Sequence, residues 1–473
     1  MKTTSFIPSH PIVRNTFAAL TSLTLMVCAF AVRAGDDGYV AHEWGTFTSI
    51  QGGDGVLQNW NGVATADLPP FVYNQAHPGL RRFFSAYAFG KGGLSALQRM
   101  ETPVIYFYAK KPLTLDLSVQ FPKGTMTEWF PQAAEVGPSL RLPGPVVAAL
   151  DNAASRAGLN SNPTLATRLT DSPVTNNVIH WKNFEVLPAE QHGDLASQLP
   201  TDTKGSHYFA ARTKDAAFIR VNSLEPTNPA PELEKFLFYR GVGNFQTPLT
   251  VTMNEQNQIT VTNTGTAPLK HLFAISIKGD HASVVPLGNL RPRQILDTRL
   301  DTSSQPAATV MPELRRQMAA ALEAEGLYAS EAEAMVNTWR DAWFEDQGVR
   351  ILYILPRTWT DSTLPITMAP MPRELTRVMV GRAEIITPAT MELLCKCIDG
   401  FRQSDPAIKQ NALNEFKAMR LGRFTTVAIS LAAAQKKNPK LYDYGAELIK
   451  AAQSVATSAE AAQPARRLAA TGG

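Results

Sequence analysis

Three short patches place a carboxylate beside residues able to assist it: His42-Glu43-Trp44, Met100-Glu101-Thr102 and Thr127-Glu128-Trp129. Two carboxylates on one rim can divide into a general acid and a base or nucleophile, the chemistry of glycoside hydrolysis. A tryptophan beside them can stack on a sugar ring. Glu101 stands just before an apolar run at 103–108, and Glu128 just after a second run at 113–121. If those runs pair as an antiparallel hairpin, its two open ends meet and bring Glu101 next to Glu128. The expectation is a site built on Glu101 and Glu128, with His42 or Glu43 assisting and Trp44 or Trp129 stacking on substrate. The competing reading makes the carboxylates acceptors of backbone N–H bonds and the tryptophans part of the core.

A metal is the second chemistry the residue types allow. Seven histidines follow the first 34 residues, and none forms His-x-His, His-x3-His or His-Glu-x-x-His. Ligands would have to converge from separate strands, with His42, His180 and His207 as candidates and Glu43 or Glu128 adding oxygen. No metal and no cofactor is assigned on that basis. Covalent nucleophiles have less support: there is no Gly-x-Ser-x-Gly, and Cys395 lacks an arranged base. Gly90-Lys91-Gly92-Gly93 lacks the strand-loop-helix setting and the ending of a phosphate loop. Cys395 and Cys397 stand two apart on a helical run, pointing away from each other, and read as free thiols.

The elements that would position these residues are mostly strands. Residues 39–48 alternate, with Val40, His42, Trp44, Thr46 and Thr48 on one face and Ala41, Glu43, Gly45 and Phe47 on the other. His42 and Glu43 therefore point to opposite sides. Further strands are expected at 103–108, 113–121, 178–186, 206–212, 216–221 and 233–239, with a loop insertion at about 131–176. Residues 246–305 alternate in short runs and resemble a small immunoglobulin-like module. A helical hairpin follows, its second helix capped by Ser330 with Glu333 three residues on. That helix carries Met335, Trp339 and Trp343 as one stripe. Apolar strands at 349–355 and 375–380 come next, then helices from 388 to about 452.

Composition sets the compartment. Lys2 and Arg14 precede a short apolar run from Thr16 to Val32, and small residues stand at cleavage spacing near Ala34, which reads as an export signal. Its removal takes Lys2, Arg14 and Arg33 and no acid, so the formal charge falls from +4 to +1. A nearly neutral chain argues against a nucleic-acid partner, and no later stretch is long and apolar enough for a transmembrane segment.

His42-Glu43-Trp44-Gly45-Thr46-Phe47-Thr48, Glu101-Thr102-Pro103-Val104-Ile105-Tyr106-Phe107-Tyr108, Thr127-Glu128-Trp129 and Arg377-Val378-Met379-Val380-Gly381-Arg382 together resemble a family of exported hypothetical proteins of planctomycete- and verrucomicrobium-like bacteria. The resemblance spans nearly the whole chain after the signal. It implies export and carries no activity.

The sequence thus predicts a β-rich, multidomain α+β protein with antiparallel sandwich-like sheets, a helical hairpin and a helical C-terminal region. The expected parts are a signal peptide at 1–34, a β-rich domain at 35–245, the immunoglobulin-like module at 246–305, the helical hairpin with strands at 306–385, helices at 386–452 and a disordered tail at 453–473. The expected setting is periplasmic or extracellular. The expected function is a carboxylate-based hydrolase of a glycan-like polymer or other envelope component; the alternatives are a non-catalytic envelope binding or scaffold protein and a metal-dependent enzyme.

Overall fold

The strand that opens the described chain is buried along its whole length. β1 (Val40–Gly52) has no residue facing water, so it must have a neighbour on each edge and a layer on each face. A computed structural model supplies both, describing residues 38–61, 68–74, 95–137, 177–203, 205–223, 230–300 and 304–453. The expected signal peptide, most of the 131–176 insertion and the tail from 454 lie outside the described residues.

β1 runs parallel to β19 (Glu374–Ile386) on one edge and antiparallel to β3 (Gln98–Tyr108) on the other. Beyond β3 come β10 (Leu237–Gly243), β5 (Gly124–Phe130) and β2 (Tyr73–Asn74). Beyond β19 come β17 (Gly348–Ile354), β13 (Leu269–Lys278), β14 (His281–Leu290) and β16 (Gln305–Pro306), which completes a mixed ten-stranded sheet. A second sheet runs β18 (Ile366–Ala369), β4 (Leu113–Phe121), β7 (Asn177–Leu187), β8 (Phe218–Val221) and β9 (Glu232–Glu234), with β6 (Glu135–Gly137) also on β7. A third holds β11 (Leu249–Met253), β12 (Gln258–Asn263) and β15 (Ile295–Arg299).

Alternation along β1 sends its side chains into two different cores. Ala41 and Phe47 enter a core shared with β4, β7, β11 and β12, between the large sheet and the smaller ones. Trp44 enters a second core, roofed by α1 (Ala307–Ala324), α2 (Ala329–Thr338) and α3 (Arg340–Phe344). The Met335, Trp339 and Trp343 stripe packs there, as the helical spacing requires. After a short α4 (Arg357–Thr363) in the chain, and past Ile50 in space, a third core lies under α5 (Pro388–Phe401), α6 (Pro406–Ala418), α7 (Thr425–Gln435) and a helix over 440–453. Thr387 caps α5 through Thr390 N and Asp405 caps α6 through Ala407 N, each followed by proline in the first turn. The β-rich α+β class, the helical hairpin and the helical C-terminal region are therefore as the sequence predicts.

Several finer expectations are corrected. The 103–108 and 113–121 runs do not pair, because β3 and β4 belong to different sheets. The 103–108 part of β3 is apolar on both faces and takes an interior place, whereas half-buried β4 fits a layer with one wet side. Residues 246–305 do not close on themselves. β13 and β14 join the ten-stranded sheet while β11, β12 and β15 form the third, so that sheet crosses the boundaries expected at 245 and 305. His207–Ala211 is a turn of 3-10 helix capped by Ser206, not a strand. The cap of α2 is Tyr328, and the acid that accepts its backbone N–H is Glu331, two residues earlier than Glu333.

Candidate functional site

The expected pair does not assemble. Glu101 on β3 and Glu128 on β5 share a face of the ten-stranded sheet, but β10 runs between them. Two strand spacings separate them by about 10 Å, and the register puts Arg240 beside Glu128 in the gap. Both carboxylates are about 1–2% exposed. Glu101 Oε2 accepts from the Thr48 hydroxyl at 2.6 Å, and Oε1 from Arg423 Nη1 at 2.5 Å, with Arg99 Nε 3.0 Å away. Burial works to raise its pKa, but the Arg423 and Arg99 charges and the Thr48 bond outweigh it and hold it well below the usual carboxylate range. A group so held is an anion at every working pH and supplies no proton. Glu128 accepts from Thr127 Oγ1.

Glu101 belongs to a row of charges that crosses one face of the sheet. Arg350 on β17 pairs with Glu384 on β19 at 3.2 Å, and Glu384 also accepts from Arg382 at 2.8 Å. Arg382 lies beside Thr48 on β1, Thr48 beside Arg99 on β3, and Arg240 beside Glu128 on β5. Thr48 is 0% exposed, as are Arg350 and Arg240, and Arg382 and Arg99 are 1%. Burial works to raise the Glu384 pKa and to lower that of Arg382, but the Arg350 and Arg382 charges reverse the first and the Glu384 charge the second. Breaking one such buried pair costs about 3–5 kcal/mol because it strands a charge in the interior.

His42 and Glu43 part company, as a strand requires. Glu43 turns to the inter-sheet core, where it accepts from Arg377 Nε at 2.5 Å and from the Tyr239 hydroxyl. Arg377 continues to Asp361 near the surface at 2.9 Å. Burial, then Glu43, pushes the Tyr239 phenol well up. His42 turns to the helical face. Its Nδ1 lies 2.7 Å from Glu331 Oε2. Glu331 also accepts from Tyr328 N at 2.8 Å and Tyr108 Oη at 2.7 Å. A carboxylate only accepts, so Nδ1 carries the hydrogen and Nε2 the lone pair unless the ring is charged. Nε2 is buried and has no protein partner among the described residues. A dyad of this form can act as a base, yet His42 is 0% exposed and the Tyr328 ring covers it at 4.4 Å.

Trp44 and Trp129 are both 0% exposed, in different cores, so neither offers a face to a sugar. The three candidate metal ligands stay apart. His180 lies on β7 of the second sheet, its pKa lowered chiefly by burial, and His207 packs near Trp339 at 5.7 Å. No three His, Cys, Asp or Glu side chains among the described residues stand together as a ligand set. Cys395 and Cys397 are buried free thiols.

A cleft of about 780 Å³ does open on the surface, beside the C-terminal helices. Asn59, Trp60, Asn61 and Ser95 line it from the β1 side, and Arg423, Thr426, Tyr442 and Gln453 from the helices. Amides, hydroxyls, an arginine, aromatics and the aliphatic side chains of Val427 and Ile449 make up its walls, and among the described residues no Asp or Glu lines it. Tyr442 is 48% exposed. Arg423 forms part of the lining and reaches inward to Glu101, so it joins the cleft to the buried row. Sequence reasoning passed over this place because its residues come from positions 59 and 423–453, each unremarkable alone. The one signal was Trp60 between two asparagines.

No family model and no curated protein matches the chain. Among solved structures, the yeast delta-COP-I mu-homology domain in complex with the Dsl1 WxWxV peptide is 7% identical, covering 74% of this chain and 96% of that one, with a TM-score of 0.23. The same domain without the peptide aligns at 7% identity over the same shares, with a TM-score of 0.22. A likeness this slight carries no argument.

Proposed function

We propose that this is a non-catalytic binding protein of the cell envelope that holds a hydroxyl-rich, glycan-like chain in the cleft between the 59–61 segment and the C-terminal helices. The observation that carries the reading is a division of labour. The acids at 43, 101 and 331 are engaged by buried partners, whereas the described lining of the open cleft holds amides, hydroxyls, Arg423, aromatics and aliphatic side chains and no carboxylate. Its volume falls in the range of ligand sites. Amide and hydroxyl groups match the donors and acceptors of sugar hydroxyls, and an exposed tyrosine matches the C–H face of a ring. Hydrolysis by a carboxylate pair would need two acids flanking one bond, which the described lining of this cleft does not offer. The export signal read at 1–34 is what suggests the envelope.

Isothermal titration of the chain without its first 34 residues, against a panel of soluble polysaccharides and cell-wall glycan fragments, tests the reading. Binding to at least one member, weakened about tenfold by Tyr442→Ala at unchanged thermal stability, is the expected result. Absence of binding across the panel, or full affinity in the variant, overturns it. So does breakdown of a panel member by the wild type that Glu101→Gln abolishes.

A further inference from the structure

Resting on the binding reading above, we propose that the cleft selects an acidic glycan, taking a carboxylate or sulfate of the chain onto Arg423 with Arg382 behind it. The guanidiniums of both residues lie over the Phe424 ring, 5.1 Å and 5.2 Å from its centroid, and both face the charge of Glu101, Arg423 through a hydrogen bond. Arg423 also lies 5.6 Å from the Trp60 ring, on the cleft wall. Four arginines converge on this end of the charge row: Arg99, Arg350, Arg382 and Arg423. Glu101 and Glu384 are their buried counter-ions, and half-exposed Asp346 lies 3.3 Å from Arg382.

Two of their donors are left over. Arg382 Nη1 and Arg423 Nη2 are buried and meet no protein acceptor among the described residues, and Thr46 Oγ1, on the same face of β1, is in the same position. Arg382 itself is 1% exposed. Interior donors of this kind are a demand for an acceptor, and a charged donor meets a charged oxygen best. An anion entering from the cleft reaches Arg423 first, and among the described residues no lining carboxylate repels it. The neutral walls then serve the sugar hydroxyls, while the positive end decides which glycans bind.

The test compares polymers that differ only in charge. Polygalacturonate is titrated beside its fully methyl-esterified form, and carboxymethylcellulose beside hydroxyethylcellulose, at low and at physiological salt. The acidic member of a pair is expected to bind at least tenfold tighter at low salt, with the gap closing as salt rises. Arg423→Gln should remove the preference. Because that change also strips Glu101 of a partner, Arg423→Lys is the control that keeps the charge: it should fold and retain a preference reduced severalfold. Equal binding of charged and neutral members overturns this inference and leaves the binding reading intact. Failure of all four polymers overturns it too, and the wider glycan panel then judges the binding reading separately. Saturation by inorganic sulfate or phosphate with no polymer binding identifies a free anion as the occupant and also overturns it.

Discussion

Replacing Glu101 by glutamine separates a structural ion from a catalytic one. The change keeps volume and one acceptor oxygen but removes the charge that faces Arg423 at 2.5 Å and Arg99 at 3.0 Å. Two guanidiniums then share the site with no counter-ion between them, and the cost is about 3–5 kcal/mol. Unfolding entropy of about 2.1 cal/mol/K per residue over 473 residues is on the order of 1 kcal/mol/K, so Tm should fall by roughly 3–5 °C. The pH dependence adds a second signature. The folded-state pKa of Glu101 is depressed, so its contribution is fully present above the unfolded value of about 4.3 and is lost as pH falls towards the folded one. Wild type and Glu101→Gln should therefore differ most near neutrality and converge below about pH 4. Calorimetric scans of both proteins from pH 7 to pH 3 measure this. A variant with wild-type Tm at pH 7, or a gap that stays constant into acid, would refute the placement of Glu101 in the buried row.

Three further outcomes follow from particular contacts. Glu331→Gln should lower stability by about 2–3 kcal/mol, since His42 Nδ1, Tyr108 Oη and Tyr328 N share one carboxylate; Glu333→Gln should stay within about 0.5 kcal/mol, and equal effects in urea melts would put the cap at the wrong residue. Gly381→Ala should destabilise by about 1–3 kcal/mol or more, because its Cβ would stand 2.2 Å from Cζ of the Tyr353 ring; adding Tyr353→Leu should recover part of the loss in the same melt, and no recovery would place the clash elsewhere. Cys395 and Cys397 should resist a disulfide reagent at pH 8 until the protein unfolds, because burial hides both thiols and pushes Cys397 up to about 11; rapid labelling of the native protein would contradict that packing.

What the sequence made legible was local. Alternation at 39–48 correctly separated His42 from Glu43, and the Met335, Trp339 and Trp343 spacing correctly gave one buried stripe. Both follow from geometry within a single element. The errors came where a partner had to be chosen. Glu101 and Glu128 were joined by assuming that consecutive strands pair, whereas the apolar 103–108 strand found its neighbours at positions 40 and 237. Glu331 was missed because Ser330 is a better capping side chain than Tyr328, yet the tertiary demand of His42 and Tyr108 for an acceptor fixed the helix start two residues earlier. The charge row was invisible because its members come from five distant strands, and only register aligns them.

That row also explains where a functional surface can be. A sheet whose central strand is buried on both faces has no open edge or face near its middle, so the charges gathered there brace strands instead of meeting solvent. His42 staples β1 to the helical hairpin, Glu43 ties it to β19 and β10, and Thr48 ties it to Glu101. Among these ions, Arg423 is the member that also lines the surface cleft. It sits on the C-terminal segment, not on the sheet, and so can answer to a ligand without disturbing strand register. A ligand at Arg423 would be felt by Glu101 and, through it, by Thr48 of β1. At equal ligand concentration, binding of an acidic ligand should then raise the Tm of wild type more than that of Arg423→Gln, which melts with and without ligand decide.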